Sequence, residues 1–146
     1  MSILNDPTLV RQIIMDHYQF PRNKVEEQPN GYDAIHMDSE SCIDDFYIYL
    51  KYNNQTSVVE DCKYKGIGCT ISTASISILS EMVIGKTKEE VLDLLLNFHH
   101  LTHNDGEFDE NKLEELMVFS NIYKQANRIK CANIGGIGIE QILKGK

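Results

Sequence analysis

The sequence of 146 residues lacks the features of several classes of protein. It has no apolar run approaching the roughly 20 residues of a membrane span, and Met1–Gln12 lacks the uninterrupted apolar segment of a signal peptide. It also lacks a basic stretch, and its formal net charge is −8. Because nucleic-acid phosphates are bound by basic surfaces, we expect neither nucleic acid nor a membrane among the partners, and we expect a cytoplasmic location.

Cysteine is scarce, and no two of the four cysteines form a Cys-x-x-Cys pair. In a reducing compartment, cysteines are more often metal ligands or reactive thiols than disulfides. Cys62 lies within a predicted strand, and we interpret it as a packed side chain. The rest of the composition is that of an ordinary globular chain. The length predicts one domain, residues 1–146, with a single core.

Hydrophobic periodicity and capping signals predict a helix, a run of strands and then further helices. Asp6 or Thr8 caps the first helix, Pro21 ends it, and His17 is interpreted as a residue at the boundary of its apolar face. The other predicted elements are strands at Ala34–Met37, Asp45–Tyr52 and Ser57–Tyr64, and helices at Thr70–Ile84, Thr87–Leu101, after Asp109, and from near Cys131 to Leu143.

The stretch Glu60–Leu79 is predicted to form the strand, turn and helix around which the other elements are arranged. A strand leads into a turn that contains Gly66 and Gly68, and Cys69 follows where a helix begins. The glycines supply the backbone freedom that a sharp corner needs. A cysteine at a helix N-terminus faces unpaired N–H groups and the positive end of the helix dipole, which favour the thiolate. Cys42 and Cys131 are predicted to lie at comparable corners.

The second and third predicted strands are joined by Asn53 and Asn54, which suit a hairpin turn because Asn tolerates positive φ. Antiparallel pairing would bring Cys42, before one strand, close to Cys69, after the other. Asp44 follows Cys42 at i+2, so that in an extended segment both side chains leave on the same face. With Cys131, these residues supply three sulfurs and one oxygen. That is a full tetrahedral shell for zinc, or part of an iron–sulfur cluster site.

Two basic residues, Arg128 and Lys130, precede Cys131 and would help to lower the pKa of its thiol. Spacing alone also fits a second explanation, in which the cysteines are buried small apolar side chains. The residues by themselves leave these two explanations about equally open.

Three segments carry a resemblance to the IscU/SufU family of iron–sulfur assembly proteins, and to its SufU branch most of all. The long segment between Cys69 and Cys131 is also similar to that branch, which carries an insertion there. The similar segments are Val10–Tyr18 with Pro21-Arg22-Asn23, Val59–Tyr64 with Gly66, Gly68-Cys69 and Ser72, and Arg128–Ala132.

The resemblance implies an α+β fold, with a small antiparallel sheet packed against helices on one face. It implies Zn²⁺ held by Cys42, Asp44, Cys69 and Cys131, and it implies that Cys42 accepts persulfide sulfur from a pyridoxal-phosphate cysteine desulfurase of the SufS type. Such a chain would be the sulfurtransferase partner of that enzyme, with downstream sulfur or cluster acceptors. The alternative is a scaffold that assembles and transfers an iron–sulfur cluster on the same three cysteines.

The sequence departs from the family pattern at three places. The family usually reads Asn-Pro-x-Cys-Gly-Asp at the first cysteine, whereas this chain has Ser39–Asp44 with Ile43 in place of the glycine. IscU-type scaffolds typically have a histidine directly before the third cysteine, where this chain has Lys130. The SufU branch commonly carries a tryptophan after that cysteine, and this chain contains none. The predicted ligand residues are kept, while the residues that flank Cys42 and set its backbone conformation differ from the family pattern.

Overall fold

In the part of the chain that the structure describes, three antiparallel strands and the helices packed on them make up the fold, which confirms the predicted class. The computed structural model describes residues 6–39 and 43–146. The sheet has the order β1-β2-β3. No helix among the described residues is long and apolar enough to cross a lipid bilayer. The elements are α1 (Pro7–Gln19), β1 (Asp33–Asp38), β2 (Asp45–Asn53), β3 (Val58–Ile67), α2 (Thr70–Val83), α3 (Lys88–His103), α4 (Glu110–Leu113) and α5 (Ala126–Lys144), with 3-10 turns at Glu114–Phe119 and Ile122–Lys124.

Helix α1 begins where the sequence predicts but buries a residue that was predicted to lie at its boundary. The Asp6 side chain accepts hydrogen bonds from the backbone N–H groups of Thr8 and Leu9, as an N-cap does. His17 is only 3% exposed, so the boundary interpretation is wrong. The imidazole is tolerated inside because Ser77 of α2 lies 2.7 Å from its Nδ1, and a buried polar group needs such a partner.

The sheet buries the face that the alternating pattern predicts. Phe46, Ile48 and Leu50 of β2 are at most 1% exposed and form a core with apolar residues of the helices. Strand β3 extends to Ile67, three residues beyond the prediction, because Asp45 at the start of β2 pairs with it. The hairpin therefore brings the residues just before β2 next to those just after β3.

Helix α5 begins at Ala126, five residues earlier than predicted. Cys131 therefore lies inside the helix, and its predicted place at a corner is wrong. Glycine lowers helix propensity, but here the glycines allow close packing against neighbouring elements. A Cβ at Gly135 would lie 3.0 Å from Ile76 Cγ1, and one at Gly138 would lie 2.5 Å from Ile48 Cδ1. Tertiary packing outweighs propensity in this helix.

A substitution at Gly66 tests whether the backbone near the end of β3 requires glycine. The φ of Gly66 is +124°, and a Cβ there would lie 2.1 Å from the backbone oxygen of Asp45. We expect Gly66→Ala to lower the free energy of unfolding by about 3 kcal/mol or more, because both the dihedral and the contact are unfavourable. Gly31→Ala is the matched control, since Gly31 has a φ of +83° with no atom within 4 Å of the added Cβ.

That control should cost only about 1 kcal/mol, the penalty of the dihedral alone. Urea denaturation followed by circular dichroism measures both values. Equal losses in the two variants would mean that the contact with Asp45 contributes nothing.

Candidate metal centre

Asp44, Cys69 and Cys131 come together in the structure. One ligand atom of each, a carboxylate oxygen or a sulfur, lies within 4.8 Å of those of the other two. Asp44 directly precedes β2, Cys69 is the N-cap of α2, and Cys131 is in α5. The register of the β2–β3 hairpin places Asp44 beside Cys69. The packing of α5 on α2 brings Cys131 to them. Cys42 lies outside the described residues, so its place beside them stays a prediction.

Asp44 is fixed by hydrogen bonds on one oxygen only. The side chain is 2% exposed, and its Oδ1 accepts hydrogen bonds from Cys69 N–H at 3.0 Å and from Ser72 Oγ–H at 2.7 Å. Oδ2 is buried and has no hydrogen-bond partner among the described residues. An unpaired buried carboxylate oxygen is unfavourable, and a bound cation would satisfy it. The carboxylate therefore fits the role of a metal ligand.

Cys69 occupies the helix N-terminus that the sequence predicts. Its Sγ accepts a hydrogen bond from Ser72 N–H at 3.4 Å, in the manner of an N-cap. Ser72 thus holds both Asp44 and Cys69. Sequence reasoning missed that role, although a serine three residues after a capping position was a usable signal.

Cys131 is fully buried, and its Sγ lies 3.6 Å from the backbone oxygen of Asn127. Arg128 lies beside both thiols. The negative charge of the Cys69 thiolate and a hydrogen bond to Cys131 raise the pKa of the Arg128 guanidinium above its ordinary value. Lys130, the other basic residue that the sequence singles out, is exposed on α5. The structure thus brings Arg128 to the two thiols.

Cys62 does not belong to the centre. It lies in β3 opposite Leu50 of β2 and is fully buried, as the sequence predicts. Burial, with a smaller contribution from the charge of Asp61, raises the pKa of its thiol to about 12. The thiolate is the nucleophile in cysteine chemistry, so Cys62 is inert at neutral pH.

The exposure of the thiols predicts selective alkylation. Iodoacetamide at pH 8 should leave Cys62 unmodified in the native protein, because its thiol is buried and its pKa lies about four units above that pH. The partly exposed Cys69 should be modified once metal is removed. Peptide mass spectrometry after quenching measures both sites. Urea-unfolded protein, in which Cys62 should react, is the control, and native modification of Cys62 would contradict its assignment to the core.

Two thiols and one carboxylate, each delivered by a different part of the chain, form a donor set that suits zinc or an iron–sulfur cluster. The fold and this group of residues define a class: small α+β proteins with cysteine and aspartate side chains that could hold a metal at one end of an antiparallel sheet. The comparisons with known proteins narrow that class.

The profile of the NifU-like N-terminal domain matches residues 9–132. A relative from Bacillus subtilis, named zinc-dependent sulfurtransferase SufU, is 33% identical over 94% of this chain and 90% of its own length. A relative from Streptococcus pyogenes, named iron–sulfur cluster assembly scaffold protein IscU, is 29% identical over 93% of this chain and 83% of its own length. The chain belongs to the NifU-like N-terminal domain family, which confirms the resemblance to IscU and SufU.

A solved structure supports the same assignment. It is described as a candidate iron–sulfur cluster assembly scaffold protein for the SUF system, from Fervidobacterium islandicum. It is 29% identical to this chain, has a TM-score of 0.77, and the match covers 90% of this chain and 94% of that one. The similarity therefore extends over almost the whole of both chains.

Proposed function

We propose that this protein acts in iron–sulfur cluster assembly as a zinc-dependent sulfur acceptor, which takes persulfide sulfur from a cysteine desulfurase on Cys42. The observation that carries the proposal is the convergence of Asp44, Cys69 and Cys131, with a buried Asp44 oxygen that has no hydrogen-bond partner among the described residues. The name of the Bacillus subtilis relative supports the zinc and the sulfur transfer.

The ligands of the zinc would be Cys42, Asp44, Cys69 and Cys131. Asp44 needs no rearrangement for this role, because Ser72 and the Cys69 backbone already hold its other oxygen. When bound, zinc would supply positive charge that lowers the pKa of its thiol ligands.

Sulfur transfer to Cys42 would be a thiol exchange. The Cys42 thiolate attacks the terminal sulfur of the desulfurase persulfide, a new S–S bond forms on Cys42, and the desulfurase cysteine leaves as a thiolate. Arg128, beside Cys69 and Cys131, would stabilise the negative charge of the thiolates at the centre during the exchange. The exposed Lys130 would add positive charge to the surface that the desulfurase approaches.

A scaffold that assembles and transfers an iron–sulfur cluster on the same cysteines is the second candidate. The scaffold name of the Streptococcus pyogenes relative supports it, and thiolates are the usual ligands of such clusters. Anaerobic reconstitution with iron and sulfide separates the two functions. Retained zinc without a coloured cluster would support the sulfur acceptor, and a cluster that passes to an apo-protein would support the scaffold.

The direct experiment measures turnover of a SufS-type desulfurase with and without this chain. Alanine formation from cysteine should accelerate when the zinc-loaded protein is added, because transfer to Cys42 clears the persulfide from the enzyme. Unchanged turnover would argue against sulfur acceptance.

A further inference from the structure

A second cluster of metal-ligating side chains lies apart from the cysteine centre. One ligand atom each from His17, Glu81 and Glu115 lies within 4.8 Å of the other two. We infer that these three residues bind a divalent cation such as Mn²⁺, Fe²⁺ or Zn²⁺. One imidazole and two carboxylates suit these ions. This inference is independent of the function proposed above.

The buried imidazole is held as a ligand would be. His17 is 97% buried, its Nδ1 lies 2.7 Å from Ser77 Oγ, and its Nε2 lies 3.2 Å from Glu115 Oε1. Ser77 Oγ also accepts a hydrogen bond from Arg22 N–H at 2.9 Å. A hydroxyl oxygen has two lone pairs, so in the tautomer with Nδ1 protonated Ser77 Oγ accepts from Nδ1–H as well. That arrangement leaves the Nε2 lone pair facing the glutamates, as in metal-binding histidines whose other nitrogen donates to a fixed partner.

The net charge of the cluster is negative, which suits a dication. Glu81 and Glu115 contribute two negative charges, and both are exposed, so an ion has a route from solvent. Arg22, a cation whose charge interacts with both glutamates, is already paired with Asp16 at 2.5 Å. The hydrogen bond to Asp16 is the main cause of the raised pKa of Arg22, and the two glutamates add to it. The pair Arg22–Asp16 is neutral as a whole, so two negative charges remain on the glutamates.

The cluster joins three parts of the chain. His17 is in α1, Glu81 is in α2, and Glu115 is in the 3-10 turn after α4. Glu81 lies about 16 Å along the helix axis from Thr70, the first residue of α2, so this site is separate from the cysteine centre. A bound ion would tie the segment between α3 and α5 to the first two helices. Because the ion binds only the folded chain, it should raise the melting temperature.

Mn²⁺ is the probe, because it prefers oxygen and imidazole ligands to thiolates. The full chain, with its cysteine centre loaded with zinc, is titrated with Mn²⁺, and free Mn²⁺ is measured by its electron paramagnetic resonance signal. We expect about one Mn²⁺ bound per chain, as one three-ligand site holds. Glu81→Gln and Glu115→Gln should each weaken binding about tenfold or more, at least the effect of losing an outer-shell partner.

Glu114→Gln is the matched control, because it removes the same charge from the neighbouring exposed residue and should leave binding unchanged. Cys69→Ser should also bind Mn²⁺ as the native chain does. Three results would overturn the inference: no loss of the free Mn²⁺ signal, equal binding by Glu115→Gln and the native chain, or loss of binding in Cys69→Ser. The first of these would leave His17 and Glu115 as a hydrogen-bonded pair only.

Discussion

A Cys42→Ser chain is expected to leave desulfurase turnover at the rate of the desulfurase alone and to acquire no sulfur. The serine hydroxyl stays protonated at neutral pH, so it cannot replace a thiolate as the nucleophile of a sulfur exchange. Alanine formation measures the turnover. Intact-mass spectrometry under non-reducing conditions measures whether the chain gains the mass of a sulfur atom.

Cys62→Ala is the matched control for that variant. It also removes one cysteine, but from a buried position in β3 away from the centre. It should keep both the stimulation of turnover and the added sulfur. Full stimulation by Cys42→Ser, or sulfur found on Cys62, would contradict the assignment of Cys42 as the acceptor.

The second large effect is expected at Asp44. Asp44→Asn preserves the shape of the side chain and leaves one oxygen to accept from Ser72 and Cys69. It replaces the unpaired Oδ2 with an NH₂ group that cannot ligate a cation. We expect zinc affinity to fall about 100-fold, at the upper end of what loss of an outer-shell partner costs. Competition with a chromophoric chelator measures the affinity.

Asp45→Asn provides the comparison, since Asp45 is the adjacent carboxylate on the opposite face of the strand. It is exposed, and its Oδ1 lies 2.6 Å from His36 Nε2. Its replacement should leave zinc affinity unchanged. If the two variants lost affinity equally, the effect would come from net charge, and the geometry of Asp44 would not explain it.

The pair Asp44 and Cys69 could be predicted from the sequence because a hairpin fixes it. Alternation in β2 and β3 and a turn between them are local patterns, and antiparallel register then places the residue before one strand beside the residue after the other. The structure pairs Asp45 with Ile67, which brings Asp44 and Cys69 together. The pair that the sequence predicted at this hairpin, Cys42 with Cys69, stays a prediction because Cys42 lies outside the described residues.

The position of Cys131 could not be predicted in the same way. Its place depends on where α5 begins, and the glycines of that helix mislead a reading based on propensity. A Cβ at Gly135 would crowd Ile76, and a Cβ at Gly138 would require the Ile48 side chain to shift. That is a tertiary constraint between residues far apart in the sequence.

Hydrogen bonds between side chains of different helices and strands could not be predicted from local sequence patterns either. The burial of His17 depends on Ser77, sixty residues away, and no periodicity in α1 carries that information. The role of Ser72 depends in part on Asp44, which lies on the other side of the hairpin. Such partners are visible only once the helices are packed.

The most direct test of the central claim is the content of zinc, iron and acid-labile sulfide in protein purified without added metal. A zinc-dependent sulfur acceptor should contain about one zinc per chain, the capacity of a single tetrahedral site, and no labile sulfide. Asp44→Asn should lower the zinc content, while Asp45→Asn should not. Iron with an equivalent amount of sulfide, and little zinc, would contradict the claim and identify the protein as a cluster scaffold.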